Sequence, residues 1–153
     1  MTEVTLELVQ AKQAELEALI ARLTEPQTFT LCLPAASVVL HSGEHYAGAV
    51  LDAAGHIQHH LVLMAQRPDG DLDWNDATAW AESVGGTLPN RQEQALLYAN
   101  CKPHLQPRWH WSSVVYEEDA SFAWICHFGY GHQYDGHKSY EGSAVAVRRV
   151  LPL

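Results

Sequence analysis

The hydrophobic periodicity of the chain changes at Pro26. Before this proline, residues 3–23 are predicted to form one amphipathic helix, because apolar residues recur along a single helical face. That face carries Val4, Leu8, Val9, Leu16, Leu19, Ile20 and Leu23. Proline cannot continue a helix, so the helix should end here. The pattern therefore predicts an N-terminal helix, residues 1–25, followed by a domain at 27–153.

The predicted N-terminal helix has two alternative roles. It spans about three heptads, enough to begin a coiled coil but interrupted at Lys12 and Gln13. A helix of this length is only marginally stable alone. It could therefore pack on its own domain, or it could form a homo-oligomer with copies of itself. A homotrimer or docking to a larger assembly are the forms of association we expect.

Charge and cysteine content exclude several classes of protein. The 153 residues carry a formal charge of −9, from 9 Lys+Arg against 18 Asp+Glu, which argues against binding to nucleic acid or anionic membranes. No apolar run approaches the roughly 20 residues of a membrane-spanning helix, so no membrane insertion is expected. The acidic N-terminus does not resemble a signal peptide. The 3 cysteines lack CxxC spacing and are expected to be reduced thiols.

Beyond Pro26 the sequence alternates between strand and helix signals. Two short helices are predicted by their caps and apolar faces, one from Asp73 or Asn75 to Val84 and one opened by a capping box at 90–93 and ending near Asn100. Strands are predicted at 29–33, 45–52, 56–65, 109–115, 121–128 and 144–150, with a Gly/Tyr/His-rich loop at 129–142. The fold class is therefore α+β, with two helices and antiparallel strands.

The order of several short motifs resembles a known family. They are WAESVGGTLPNR at 80–91, WHWSS at 109–113, Ala123-Trp124, Phe128-Gly129, Lys138 and Val145 to Arg148. Together they resemble the Lcl C-terminal-like domain family of phage and bacterial proteins, over roughly residues 73–150. The resemblance implies a C-type-lectin-like fold related to formylglycine-generating-enzyme-like domains. It also implies a tail-fibre-associated role in receptor or carbohydrate binding, in the virion or the host cytoplasm.

The chain lacks the motifs with which C-type lectins bind calcium and those with which formylglycine-generating enzymes catalyse their reaction. It has no Glu-Pro-Asn motif, and its Trp-Asn-Asp at 74–76 lies at the start of a helix, where it reads as a cap. The catalytic cysteines of formylglycine-generating enzymes have no motif counterpart here. We therefore expect no catalytic residue, no cofactor and no metal.

A candidate ligand-binding site lies in the loop before the last strand. Its residues are Tyr130, His132, Tyr134, Asp135, His137, Lys138 and Tyr140, together with Trp111. His127, His132 and His137 recur every five residues, so His127 is grouped with the same surface. Tyrosine and histidine offer flat faces and hydrogen bonds at low entropic cost, as in antibody paratopes. The alternative is a solvated loop without a ligand.

Three further patterns could carry chemistry. His41, His45, His56, His59 and His60 could hold Zn²⁺ or Ni²⁺, although His56 and His59 should point to opposite faces of a strand. Four aspartates between 69 and 76 do not follow the calcium-loop spacing, and Ser112-Ser113 lacks a nucleophile elbow. On the last strand, Arg148 is expected to pair with Glu93.

The sequence thus favours a non-enzymatic protein that binds a protein or glycan ligand. A second interpretation is an intracellular acidic regulator that inhibits a host nucleic-acid-binding protein, for which a continuous acidic face would be diagnostic. A third is a metal-dependent enzyme that uses the histidine cluster.

Overall fold

The computed structural model describes residues 4–26, 28 and 30–153. The chain divides into two compact units, Met1–Ala35 and Ala36–Leu153. Glu3 and Phe29, where the predicted first helix and first strand begin, lie outside the described residues. No helix in the described ranges is long and apolar enough to cross a membrane.

The first unit contains helix α1, Leu6–Thr24. The hydroxyl of Thr5 caps its start by accepting a hydrogen bond from the amide of Leu8 at 3.3 Å. The predicted amphipathic helix is therefore confirmed. Its large apolar side chains are exposed, from 42% for Leu8 to 84% for Leu23.

The second unit is described throughout and holds the remaining elements. They are strands β1 (His45–Leu51) and β2 (Ile57–Leu63), helices α2 (Trp74–Ser83) and α3 (Arg91–Asn100), a 3₁₀ turn (Lys102–His104), and strands β3 (Trp109–Val115), β4 (Phe122–His127), β5 (His132–His137) and β6 (Val147–Val150). The strands form two antiparallel sheets, ordered β1-β2-β6 and β3-β4-β5. The predicted α+β class is confirmed.

Both helices of the second unit begin at the predicted caps. The Asp73 carboxylate accepts from the amide of Asp76 at 2.9 Å. Asn90 and Glu93 form a reciprocal capping box. On α3, Leu97 is buried and Ala95 is exposed, and the polar side chains of Glu93 and Gln94 are also buried.

Two clusters of apolar side chains form the core. One joins β1, β2 and β6 to α3, with Leu61, Leu63 and Leu97 fully buried. The other lies beside α2 and the second sheet, around the fully buried Trp111. The first cluster also takes in Cys126 of β4, so α3 packs against both sheets. β5 is an edge strand of the second sheet, and no described strand pairs with its outer side.

Two strand predictions need correction. Residues 132–137, predicted as part of a loop, form β5, which pairs with β4 along six residues. Residues 30–33, predicted as a strand, have no regular structure. β5 carries few apolar side chains, so its backbone pairing leaves little trace in the hydrophobic pattern.

The predicted ion pair between Arg148 and Glu93 is wrong. β6 pairs with β2 so that Arg149 lies opposite Leu61, on the face that packs against α3. Arg149 therefore reaches Glu93, while Arg148 points the other way and bonds Glu44 at 2.6 Å. A shift of one residue along a strand exchanges the two faces.

Candidate functional site

Five rings meet at one end of the second sheet and form what we call the aromatic surface: Trp109, His127, Tyr130, His132 and Tyr134. Strand pairing builds it, because Trp109 lies opposite His127 and His127 opposite His132. Directly opposed residues share a face of the sheet. Tyr134 lies two residues along β5 on that same face, and Tyr130 lies in the β4–β5 turn.

The rings are in contact with one another. His127 stacks on Tyr130 with ring centroids 4.7 Å apart, and Trp109 meets His127 edge-on at 5.1 Å. Tyr134 lies 6.0 Å from Trp109 and 6.5 Å from His132. Such offset and edge-to-face pairs are favourable geometries for aromatic rings. The five side chains therefore form one continuous surface.

The turn between β4 and β5 sets the position of Tyr130. The amides of Tyr130 and Gly131 both bond the carbonyl of His127, at 3.2 and 2.7 Å. Gly131 has φ +77°, and a Cβ there would lie 2.8 Å from the ring of Tyr98. The turn therefore requires glycine on both counts.

The aromatic surface is open to solvent. Tyr130 is 70% exposed and Tyr134 59% exposed. Trp109 and His127 are partly exposed beneath them. None of the five side chains carries a fixed charge, in a chain whose formal charge is −9. This exposure is unlike that of Trp111 in the same sheet, which is fully buried.

The structure brings together only part of the predicted site. Tyr130, His132 and Tyr134 belong to the aromatic surface. Asp135 lies on the opposite face, across from Trp124, and His137 contacts Phe122 at 5.2 Å. Residues next to each other in a strand point to opposite faces, so β5 divides the predicted set.

Two other predicted residues, Lys138 and Tyr140, contact the side chains around α2 and β3. The Lys138 ammonium lies 4.4 Å above the ring of Trp74, and Tyr140 lies 6.2 Å from Trp111. Trp111 itself is a correction. Its indole is fully buried and donates to the carbonyl of Leu72 at 2.8 Å, so it is a core residue and offers no surface to a ligand.

One member of the aromatic surface, Trp109, was missing from the predicted site, whereas His127 was grouped with it from its spacing in the sequence. Trp109 and His127 lie in strands that were predicted correctly, and His127 is five residues from His132. Their alternation with the buried His110 and Cys126 was the available signal, because it places them on the other face of the sheet.

The histidines near the first sheet do not converge. His59 Nε2 lies 3.0 Å from Glu93, His60 Nδ1 lies 2.8 Å from the Tyr46 hydroxyl, and His45 stacks on His104 at 3.4 Å. Among the described residues, no group of three or more His, Cys, Asp or Glu side chains has a metal-binding arrangement. Each of these histidines thus has a partner within the fold.

Burial also defines the state of the cysteines in the core. Desolvation raises the pKa of Cys126 to about 11, and it raises the pKa of Cys101 as well. A thiol with a raised pKa is protonated at neutral pH and is a poor nucleophile. These two side chains fill space in the core.

Comparisons with protein-family models and with curated proteins found no match for this chain. No protein-family model matches the chain. No curated protein matches its sequence. The functional argument therefore rests on the aromatic surface and on the cavities of the second unit.

Proposed function

We propose that the chain is a non-enzymatic binding protein that recognises a glycan or protein receptor through its aromatic surface. The observation that carries this proposal is the contact of five rings, two of them tyrosines that are more than half exposed. Exposed aromatic clusters are favoured at recognition sites because each ring buries a large area while few rotamers are lost.

The chemistry of the rings limits the class of ligand. A tyrosine pair offers apolar faces for stacking and hydroxyls that donate and accept hydrogen bonds. Sugar rings and the side chains of a protein surface both match this combination. The absence of a fixed charge among the five members favours an uncharged contact at the centre of the interface.

Element order supports a C-type-lectin-like fold for the second unit. Two helices, three antiparallel strands and a closing strand follow one another in the order that the motif resemblance implies. We extend the proposal to a phage-associated, tail-fibre type of binding protein on that resemblance alone.

The exposed stripe of α1 supports self-association as a second part of the proposal. Val9, Leu16 and Leu23 recur every seven residues and are each at least 49% exposed. A 19-residue helix with this stripe would gain stability by packing against copies of itself. We propose a homotrimer, which would present several aromatic surfaces together and increase avidity.

The pairing of carboxylates gives less support to an acidic regulator. Glu44 and Glu93 are buried and bonded to arginines of this chain, and Asp71 is bonded to Arg108. These carboxylates cannot also offer unpaired charge to a basic groove. The protein therefore has fewer free acidic groups than its composition implies, which gives less support to an acidic regulator.

The test compares binding before and after removal of the exposed rings. We expect Y130A/H132A/Y134A to abolish binding to an immobilised glycan panel or to intact bacterial cells, with an unchanged thermal unfolding midpoint. Treating the cells with periodate or with protease distinguishes a glycan from a protein receptor. S139A, in the turn after β5, is the matched control. Binding that survives the triple substitution would overturn the proposal.

A further inference from the structure

A polar cavity of about 390 Å³ lies apart from the aromatic side chains, between loops 67–71 and 104–108. Its volume is within the range of small-molecule sites, roughly 300–1,000 Å³. His110 of β3 and Ser143 before β6 complete its wall. None of the five members of the aromatic surface lines it, so the cavity is a separate feature.

His110 lines this cavity and provides a hydrogen-bond acceptor there. The residue is 2% exposed, and its Nδ1 lies 2.8 Å from the carbonyl oxygen of Arg108. A carbonyl only accepts, so Nδ1 carries the hydrogen and the neutral ring keeps a lone pair on Nε2. Burial, the largest cause, lowers the pKa of His110 to about 4, so the ring is neutral at pH 7. No described residue hydrogen-bonds that Nε2.

Arg67 provides donors. Its guanidinium is held by three backbone carbonyls, those of Met64 at 2.5 Å, Gln66 at 2.8 Å and His104 at 3.3 Å. A guanidinium has five N–H groups, so two are left without a partner among the described residues. The group is thus fixed in place and still able to donate.

The cavity wall is balanced in charge. Arg67 and Arg108 face Asp69 and Asp71, and Arg108 is bonded to Asp71. The hydroxyl of Ser143 donates to the other oxygen of Asp71 at 3.3 Å. An added anion would meet the two aspartates and an added cation the two arginines. A ligand that both donates and accepts hydrogen bonds without a net charge fits best.

We propose that this cavity binds a small uncharged polyhydroxyl molecule, whose hydroxyl donates to Nε2 of His110 and whose oxygen accepts from Arg67. A hydroxyl group satisfies both partners, because it donates once and accepts twice. The cavity is therefore a second ligand site, independent of the function proposed for the aromatic surface.

The experiment follows the side-chain nitrogen signals of the ¹⁵N-labelled full chain. Titration with D-glucose and with D-sorbitol should give saturating shifts of the His110 Nε2 and Arg67 Nε signals. The two probes distinguish a ring-shaped sugar from an open-chain polyol. Sodium acetate is the charged comparison, and a saturating shift with acetate alone would overturn the uncharged class.

Variants separate this cavity from the aromatic surface. H110F keeps a ring beside Phe128 but lacks the acceptor, and R67K keeps a cation while removing the free N–H groups. Each should weaken binding by up to about tenfold, the effect of losing one hydrogen bond. H56F, at an exposed histidine outside both the cavity and the aromatic surface, should bind as the wild type does. No saturating shift with either polyol, or unchanged affinity in a folded R67K, would overturn the proposal.

Discussion

Arg149 donates two hydrogen bonds to the fully buried carboxylate of Glu93, from Nε at 2.8 Å and from Nη2 at 2.6 Å. The same carboxylate accepts from the amide of Asn90 and contacts His59. Burial alone would raise the pKa of Glu93, but the bonds from Arg149, Asn90 and His59 outweigh it and keep that pKa below its usual value. This group joins the closing strand, the first sheet and the start of α3.

Removal of Arg149 should leave the buried carboxylate of Glu93 without its counter-ion. We expect R149M to lower the free energy of unfolding by about 3 kcal/mol, at the lower end for breaking a buried ion pair because 34% of the Arg149 side chain is exposed. R108M, which removes an exposed partner of Asp71, should cost less than about 1 kcal/mol. Urea unfolding of both variants measures the difference, and equal losses would contradict the assigned role of Glu93.

The second ion pair of β6 should make stability depend on pH. Hydrogen bonding from Arg148 lowers the pKa of Glu44 from 4.5 to about 2, although burial acts in the opposite direction. Because the folded-state pKa lies below the unfolded one, this contribution is complete above pH 4.5 and is lost as the pH falls from 4.5 towards 2. We expect E44Q to flatten the acid limb of the stability profile in urea titrations. Parallel acid limbs for the two proteins would refute this.

Two tryptophans of the second sheet should differ in their contribution to stability. Trp111 is fully buried, so W111A should cost about 3–5 kcal/mol. Trp124 is partly exposed, with the Arg91 guanidinium 3.5 Å above its ring, so W124A should cost only about 1–2 kcal/mol. Thermal and urea unfolding rank the two, and a larger loss for W124A would reverse the core assignment.

Charges placed on the stripe of α1 should prevent self-association. We expect L16K/L23K to lower the mass measured by light scattering to that of a monomer, while the unfolding transition of the second unit stays unchanged. The control variant E7K/E17K changes the charge of the same helix more than L16K/L23K does, but on its polar face. It should remain oligomeric. A mass that is the same for the wild type and L16K/L23K would exclude association through this stripe.

The capped helices show which parts of the structure were predictable. Asp73 and the Asn90–Glu93 capping box bond backbone groups three residues away. Such bonds are set by adjacent sequence, so both caps could be predicted, Asp73 as one of two alternatives with Asn75. The turn around Gly55, with φ +85°, is local in the same sense and separates the two strands predicted at 45–52 and 56–65.

The alternation of side chains between the two faces of β5 explains why the predicted ligand-binding site differs from the observed aromatic surface. Once residues 132–137 are a strand, Tyr134 and Asp135 must point to opposite faces, whereas a loop would let them act together. The loop assignment also hid Trp109, since its contacts with His127 and Tyr134 depend on pairing across three strands. Hydrophobic patterns report burial and carry little information about which edge strand joins a sheet.

Register likewise decided the partner of Glu93. Arg148 and Arg149 are neighbours, and no property of either side chain distinguishes them in the sequence. The pairing of Arg149 with Leu61, which only the folded sheet shows, selects the one that faces α3.

The placement of β6 has a consequence for how the chain acquires its structure during synthesis. Its two arginines neutralise Glu44 and Glu93, which precede it by 104 and 56 positions. Until residues 147–150 emerge from the ribosome, these two carboxylates have no counter-ion from that strand, and the first sheet lacks its third strand. The second unit therefore cannot complete its fold co-translationally from the N-terminal side, and a product truncated before Val147 should be left for proteases to remove.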